Sequence, residues 1–227
     1  KPYEESSWLL KPFQRSDPTV GKPGEHETFL LHIQAGVNAL RRKGTILLFS
    51  GAKTERDAPF SEADSYRNVL MQCFGDSNVV QQAMADGRIL CEDAATDSYQ
   101  NLLFSLLEYY EVKGEWPQMV TVITHSFKEA RFLVRDIRVQ GINPPFPISE
   151  LRDVKRLEKQ TLDLFKADPH GAHDPLSSKR SARQWSTHVD VLSNISDTFV
   201  RHSIQELLEC RERDIFRKPL PWIELSP

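Results

Sequence analysis

Cysteine is scarce and scattered. The chain carries three, Cys73, Cys91 and Cys210, an odd number with no close pair. That spacing excludes a zinc knuckle, a C-x-x-C redox motif and a disulfide framework. It fits free thiols in a reducing compartment such as the cytoplasm. Long apolar runs are lacking too. None approaches the ~20 residues a membrane helix needs, so no membrane segment is expected within this chain. There is no surplus of positive charge: the net charge of -3 gives no footing for nucleic acid or an anionic membrane surface. G-x-G-x-x-G, the Walker phosphate loop and the G-x-S-x-G elbow are all missing, and with them the signatures of three large enzyme classes. His26, His32, His170, His173, His188 and His202 show no paired ligand spacing on one element, so no metal is expected. No internal repeat or low-complexity tract is present. The sequon Asn194-Ile195-Ser196 matters only in a secreted chain.

What is there alternates. Residues 1–25 have loop composition, with prolines and glycines around an apolar knot of Trp8, Leu9, Leu10 and Phe13 expected to pin onto the domain. From His26 to Arg42, Phe29, Leu30, Ile33, Val37 and Leu40 recur at helical spacing, and Gly44 ends the pattern. Thr45–Ser50 holds a short continuous apolar run, as strands covered on both faces do. Ser61-Glu62-Ala63-Asp64 is a capping-box pattern opening a helix toward Cys73, and a shorter helix follows around Val79–Ala85. Arg88–Glu92 is a second strand candidate. Thr96 is the expected N-cap of a helix ending at Gly114. Met119–Thr124 is the clearest strand in the chain. Ser126-Phe127-Lys128-Glu129 repeats the capping pattern and predicts a helix through Ala130, Phe132, Leu133 and Ile137 to Gly141.

Helix and strand in turn predict an α/β fold: a Rossmann-like three-layer sandwich with a mostly parallel sheet, the three strands side by side. Residues 1–25 form an N-terminal loop segment, 26–148 the α/β core, and 149–227 a helical extension packed on it, all in one domain. In that extension, Glu150 to Lys166 and Val189 to Cys210 read as helices, and Asp168 to Lys179 as a loop.

Ligands of open parallel sheets sit outside the carboxyl ends of the strands. Three such ends are legible: Ser50-Gly51-Ala52-Lys53-Thr54, Glu92-Asp93, and Thr124-His125-Ser126. Glycine at 51 lets a ligand approach the backbone, and Lys53 and Arg56 bring positive charge to the same loop. Glu62 suits the first turn of its helix electrostatically, and could also bond a ribose or act as a base. His125, directly after the best strand, is the acid/base candidate. The cluster Lys179, Arg180 and Arg183 is either solvated surface or an anion clamp.

In order and spacing these segments resemble the YdcF/SanA/ElyC-like family, in its eukaryotic, fungal-type branch. The resemblance rests on Ile46-Leu47-Leu48-Phe49-Ser50-Gly51; Ser61-Glu62-Ala63; Glu92 with Thr96-Asp97-Ser98-Tyr99-Gln100-Asn101; and Val120 through Lys128 with Arg131. Trp8-Leu9-Leu10 and Leu220-Pro221-Trp222 extend it toward both ends. It implies a Rossmann-like sandwich and a pocket lined by Ser50, Gly51, Glu62, Glu92, Asn101, Thr124, His125 and Arg131. It also implies a small-molecule ligand, nucleotide-like or S-adenosylmethionine-like, since a bacterial member binds the latter. Two departures stand out. The family's second glycine after the serine is Ala52 here, and no apolar strand precedes Trp8. The expectation is that residues upstream of Lys1 supply that strand beside Thr45–Ser50 or Met119–Thr124; endomembrane anchoring through them is also compatible.

The functional expectation is therefore an enzyme with His125 and Glu62 in catalysis. Ser50, Gly51, Lys53, Glu92, Asn101, Thr124, Ser126, Lys128 and Arg131 would bind the ligand. The alternatives are a non-catalytic sensor or envelope/endomembrane factor, and a transferase or hydrolase of a phosphorylated or acylated substrate held by Lys53, Lys128 and Arg131.

Overall fold

The computed structural model describes residues 1–132, 137–185 and 191–222. The first helix, α1 (Glu25–Leu40), presents Ile33, Val37 and Leu40 to the interior. It leads to strand β1 (Leu47–Ser50). Next come α2 (Glu62–Phe74) and α3 (Asn78–Ala85), each capped by a serine hydroxyl: Ser61 accepts from the Asp64 N–H and Ser77 from the Val80 N–H. Strand β2 (Ile89–Glu92) pairs parallel with β1, Ser50 opposite Glu92.

Helix α4 (Ser98–Lys113) follows, and its cap differs from the expected one. Asp97, not Thr96, accepts the Gln100 N–H, while Thr96 hydrogen-bonds the Gln100 side chain through both its N–H and its hydroxyl. A carboxylate is the stronger cap at the positive helix end. The helix stops at Gly114, in the left-handed region at φ 71°.

Strand β3 (Val120–Thr124) comes next, and here the sequence reading fails. Ser126–Arg131 is a short 3-10 turn rather than the start of a helix, and Ile137–Gly141 is strand β4, parallel to β3. Leu133, assigned to that helix, lies outside the described residues. Ile137, Val139 and Gly141 alternate with polar residues, a period of two hidden behind the capping pattern. Gly141 is needed where β4 passes β3: a Cβ there would stand 2.6 Å from the Ser126 backbone.

The strands make two parallel pairs, β1–β2 and β3–β4. The fold is thus α/β with parallel pairing, but the expected ladder through all three first strands is not formed among the described residues. No hydrogen bonds join β1 to β3. α1 packs against both, which holds the two pairs on one helix.

The C-terminal part is helical: α5 (Ile148–Ala167), α6 (Leu176–Ala182) and α7 (Thr198–Glu209). The helix expected from Val189 begins only at Thr198, because Asp197 caps it by accepting the Phe199 and Val200 N–H groups; Val189 itself lies outside the described residues. The loop expected to Lys179 is shortened by α6. Two apolar clusters result. One gathers Ile33, Val37, Phe49, Ala63, Leu70 and Val80 around β1. The other joins α4 to α7 through Leu103, Phe104, Leu107, Val200, Ile204 and Leu207. Trp8 packs on Phe29 and Tyr66 as expected of the N-terminal knot, but Leu9 and Phe13 stay exposed. Among the described residues no helix is long and apolar enough to cross a membrane.

Candidate functional site

Parallel pairing brings the ends of β1 and β2 together. The Ser50 hydroxyl donates to Glu92 Oε2 at 2.5 Å. The other oxygen, Oε1, accepts the N–H groups of Ala94 and Ala95 at 2.6 and 2.8 Å. Burial raises the Glu92 carboxyl, and these three bonds hold it back only in part. Its hydrogen bonds organise the loop after β2. Asn101 meets Ser50 through its backbone carbonyl, 3.4 Å from the hydroxyl.

Gly51 sits at φ 151° and donates its N–H to the Glu92 carbonyl. A Cβ there would meet Glu62 Cβ at 2.9 Å. The glycine therefore lets the first turn of α2 come down on the strand end and sets Glu62 at the rim. Glu62 is exposed, with Oε1 accepting the Thr54 hydroxyl at 3.0 Å. Lys53 is exposed, its carbonyl accepting from the Gln184 amide at 3.4 Å.

The end of β3 is built differently. Thr124 uses its carbonyl to accept the Ile142 N–H. His125 is buried, stacked on Phe127 at 4.8 Å and edge-on to His32 at 5.0 Å. Its Nε2 lies 2.8 Å from Glu25 Oε1, an ion-pair contact whose carboxylate is off the line of a well-aligned ring N–H. Burial pushes the Glu25 carboxyl up, but the contact with His125, helped by Gln14 and Lys128, outweighs that, and the net shift is downward. Burial drives His32 the other way, down to about 4, against the hydrogen bond its Nε2 makes to the Ile142 carbonyl. Glu25, Phe29 and His32 share one face of α1 by their spacing of four and three. That periodicity was readable, but the sequence reading took only the apolar members of α1.

Lys128 links the two halves of the edge. It is half-buried, over the Phe127 ring at 5.9 Å. Desolvation and then the repulsion of Arg131 lower its pKa, against the pull of Glu62, Glu25 and Glu158. Among the described residues its ammonium forms no ion pair. Tyr66, half-buried, is pushed well up by burial and then by Glu62 and Glu25. Lys128 and Tyr66 thus each feel carboxylates from both strand ends.

Arg131 is engaged by other side chains. Its guanidinium grips Glu158 of α5 with two nitrogens and donates to the Ser98 hydroxyl at 2.9 Å. Arg180 and Arg183 are not solvated: Arg180 pairs with Asp97 at 2.6 Å and Arg183 donates to the Thr96 carbonyl at 2.5 Å. These arginines fasten the C-terminal helices to the loop between β2 and α4. Two cavities lie beside α4, and neither Ser50 nor His125 lines them. Of the assigned residues, then, Ser50, Gly51, Glu62, Glu92, Thr124, His125, Ser126 and Lys128 gather at or beside the strand ends. Lys53 is exposed, and Asn101 contributes backbone.

The chain is similar to a protein of Saccharomyces cerevisiae, Uncharacterized protein YOR238W, at 24% identity over 227 aligned positions. The match covers 78% of this chain and 73% of the yeast protein. No family model matches the chain, and no solved structure matches it.

Proposed function

We propose that this chain is a small-molecule-binding α/β domain, an enzyme acting with a nucleotide-like or S-adenosylmethionine-like ligand at the carboxyl ends of β1 and β3. One observation carries the reading: the half-buried, unpaired ammonium of Lys128, at an edge shared with Glu25 and Glu62. A cation kept partly from water without a carboxylate partner costs stability, and an anionic ligand group offsets that cost. Glu62, at the rim and bonded among the described residues to Thr54, suits a ribose hydroxyl or an amine. The contact of His125 with Glu25 resembles the base-and-orienter pairing of general acid–base sites. In this reading Glu25 positions the ring and Phe127 packs against it. The transferase or hydrolase alternative has less support, since Arg131 is occupied by Glu158 and Lys53 is exposed.

The test is thermal shift against S-adenosylmethionine, S-adenosylhomocysteine, AMP, ATP and inorganic phosphate. A ligand at 100 times its Kd stabilises by about 2.7 kcal/mol. At least one nucleoside compound is expected to raise Tm, and Lys128→Met and Glu62→Ala are each expected to remove that rise. No shift with any compound, or shifts unchanged in both variants, would overturn the reading.

A further inference from the structure

Thr96, Asp97 and Ser98 follow one another at the start of α4, and an arginine reaches each of them. Arg183 donates to the Thr96 carbonyl, Arg180 pairs with Asp97, and Arg131 donates to the Ser98 hydroxyl while gripping Glu158. Asp97 and Glu158 thus neutralise Arg180 and Arg131. The Thr96 carbonyl carries no charge, so Arg183 stays a full cation, bonded through one nitrogen among the described residues.

Lys179 adds a second cation one turn before Arg183, at the end of α6. Cations suit the C-terminal end of a helix, so a lysine there is ordinary. Its neighbours are not. Desolvation and then the repulsion of Arg183 and Arg131 lower its pKa, against the pull of Asp97 and Glu158. Both of those acids are already paired. Among the described residues Lys179 forms no ion pair, and its side chain is exposed enough for a ligand to reach.

This end of α6 belongs to the strand-end edge. The Gln184 amide donates to the carbonyl of Lys53, in the loop after β1. That loop is tied in turn to the loop after β2, where the Ala52 N–H donates to the Ala95 carbonyl at 2.8 Å, next to Thr96. Lys128 stands on the other side of the Arg131–Glu158 pair. It feels both members of that pair, as Lys179 does, but also Glu62 and Glu25. Two ammonium groups therefore flank one neutralised pair, with Arg183 beside the outer one. One phosphate can answer Lys128; the cations of α6 call for a second.

We propose that the ligand of the strand-end edge carries a diphosphate, with the phosphate nearer the sugar at Lys128 beside Glu62, and the terminal phosphate at Lys179 and Arg183. The proposal rests on the nucleotide reading of the same edge and narrows it to a nucleoside diphosphate. S-adenosylmethionine fits this arrangement less well, since its sulfonium adds a positive charge to a group of unpaired cations.

The experiment is isothermal calorimetry of the whole chain at pH 7.5, without divalent cations, against AMP, ADP, pyrophosphate and geranyl diphosphate. ADP is expected to bind at least tenfold tighter than AMP. Lys179→Met should weaken ADP at least tenfold and AMP less than threefold, and Lys179→Arg should hold ADP within threefold of the parent. Lys128→Met should weaken both nucleotides. Lys113→Met, at the far end of α4, removes the same charge and should change neither. Equal binding of AMP and ADP, or an ADP affinity that Lys179→Met leaves intact or Lys113→Met lowers as much, would overturn the diphosphate site and leave the nucleotide reading standing. Pyrophosphate or geranyl diphosphate bound as tightly as ADP, and lost in Lys179→Met, would keep the diphosphate site and overturn the nucleoside. No binding of any of the four would overturn both.

Discussion

His125 Nε2 stands 2.8 Å from Glu25 Oε1, and this contact ties the end of β3 to the first turn of α1. Seven residues further along α1, His32 closes the arrangement by meeting His125 edge-on and donating to the Ile142 carbonyl. The half-buried His32 and the buried Glu25 make this end of the sheet sensitive to pH.

His32 sets the sign. Burial lowers its pKa from 6.5 to about 4, so between those values the unfolded chain binds the extra proton and the folded one does not. Stability is therefore whole above pH 6.5 and falls as pH drops toward 4, by on the order of 3 kcal/mol at most. The depressed carboxyl of Glu25 adds a loss in the same direction as pH falls through its folded pKa, below the usual 4.5. Urea unfolding of His32→Gln, which keeps a donor for Ile142, is expected to depend less on pH between 7 and 5 than the parent. Equal slopes would contradict the assignment.

Gly51→Ala tests the closeness of α2 to the strand end. The backbone at φ 151° disfavours a side chain, and the new Cβ would press on Glu62 at 2.9 Å. Strained backbone of this kind costs about 1–3 kcal/mol. A fall of Tm of several degrees is expected, together with loss of any nucleoside-induced shift. A neutral substitution would mean that the loop after β1 adopts another course.

Arg131 and Glu158 form a largely buried pair, their side chains 16% and 10% exposed. Removing one partner of such a pair leaves an uncompensated charge, at a cost of roughly 3 kcal/mol. Glu158→Ala should lose about that much, while the double variant with Arg131→Met should recover part of it. Chemical denaturation of the four proteins in the cycle measures the coupling. Additive losses would show that the two side chains do not interact in solution.

Tyr99→Phe should gain stability. The hydroxyl is enclosed without a partner, which costs about 1–3 kcal/mol of desolvation, and Phe keeps the ring beneath the Arg180 guanidinium, 5.6 Å from its centroid. A rise in Tm for the unliganded protein, of the size about 1 kcal/mol brings, is the expected outcome. A drop would reveal a hydrogen bond that the hydroxyl makes.

The sequence by itself determined the local chemistry. Apolar runs at 47–50, 89–92 and 120–124 became parallel strands. Ser61 became a cap, and Gly114 ended its helix, because these depend on residues one to four places away. The meeting of Ser50 and Glu92 at the ends of β1 and β2 also followed from order alone, since paired parallel strands point their carboxyl ends one way.

Only the tertiary structure decided what each residue has left to offer. Arg131 looked free for an anion until α5, 27 residues on, brought Glu158 to it. Glu92 proved to hold its own loop through one oxygen and Ser50 through the other. Glu25 and His32 gained interest only when β3 set His125 against them. Ile137–Gly141 became a strand because β3 offered it a ladder that a capping pattern could not outweigh. Hydrogen-bond saturation and burial are properties of neighbours in space, so a pattern of near neighbours along the chain has no access to them.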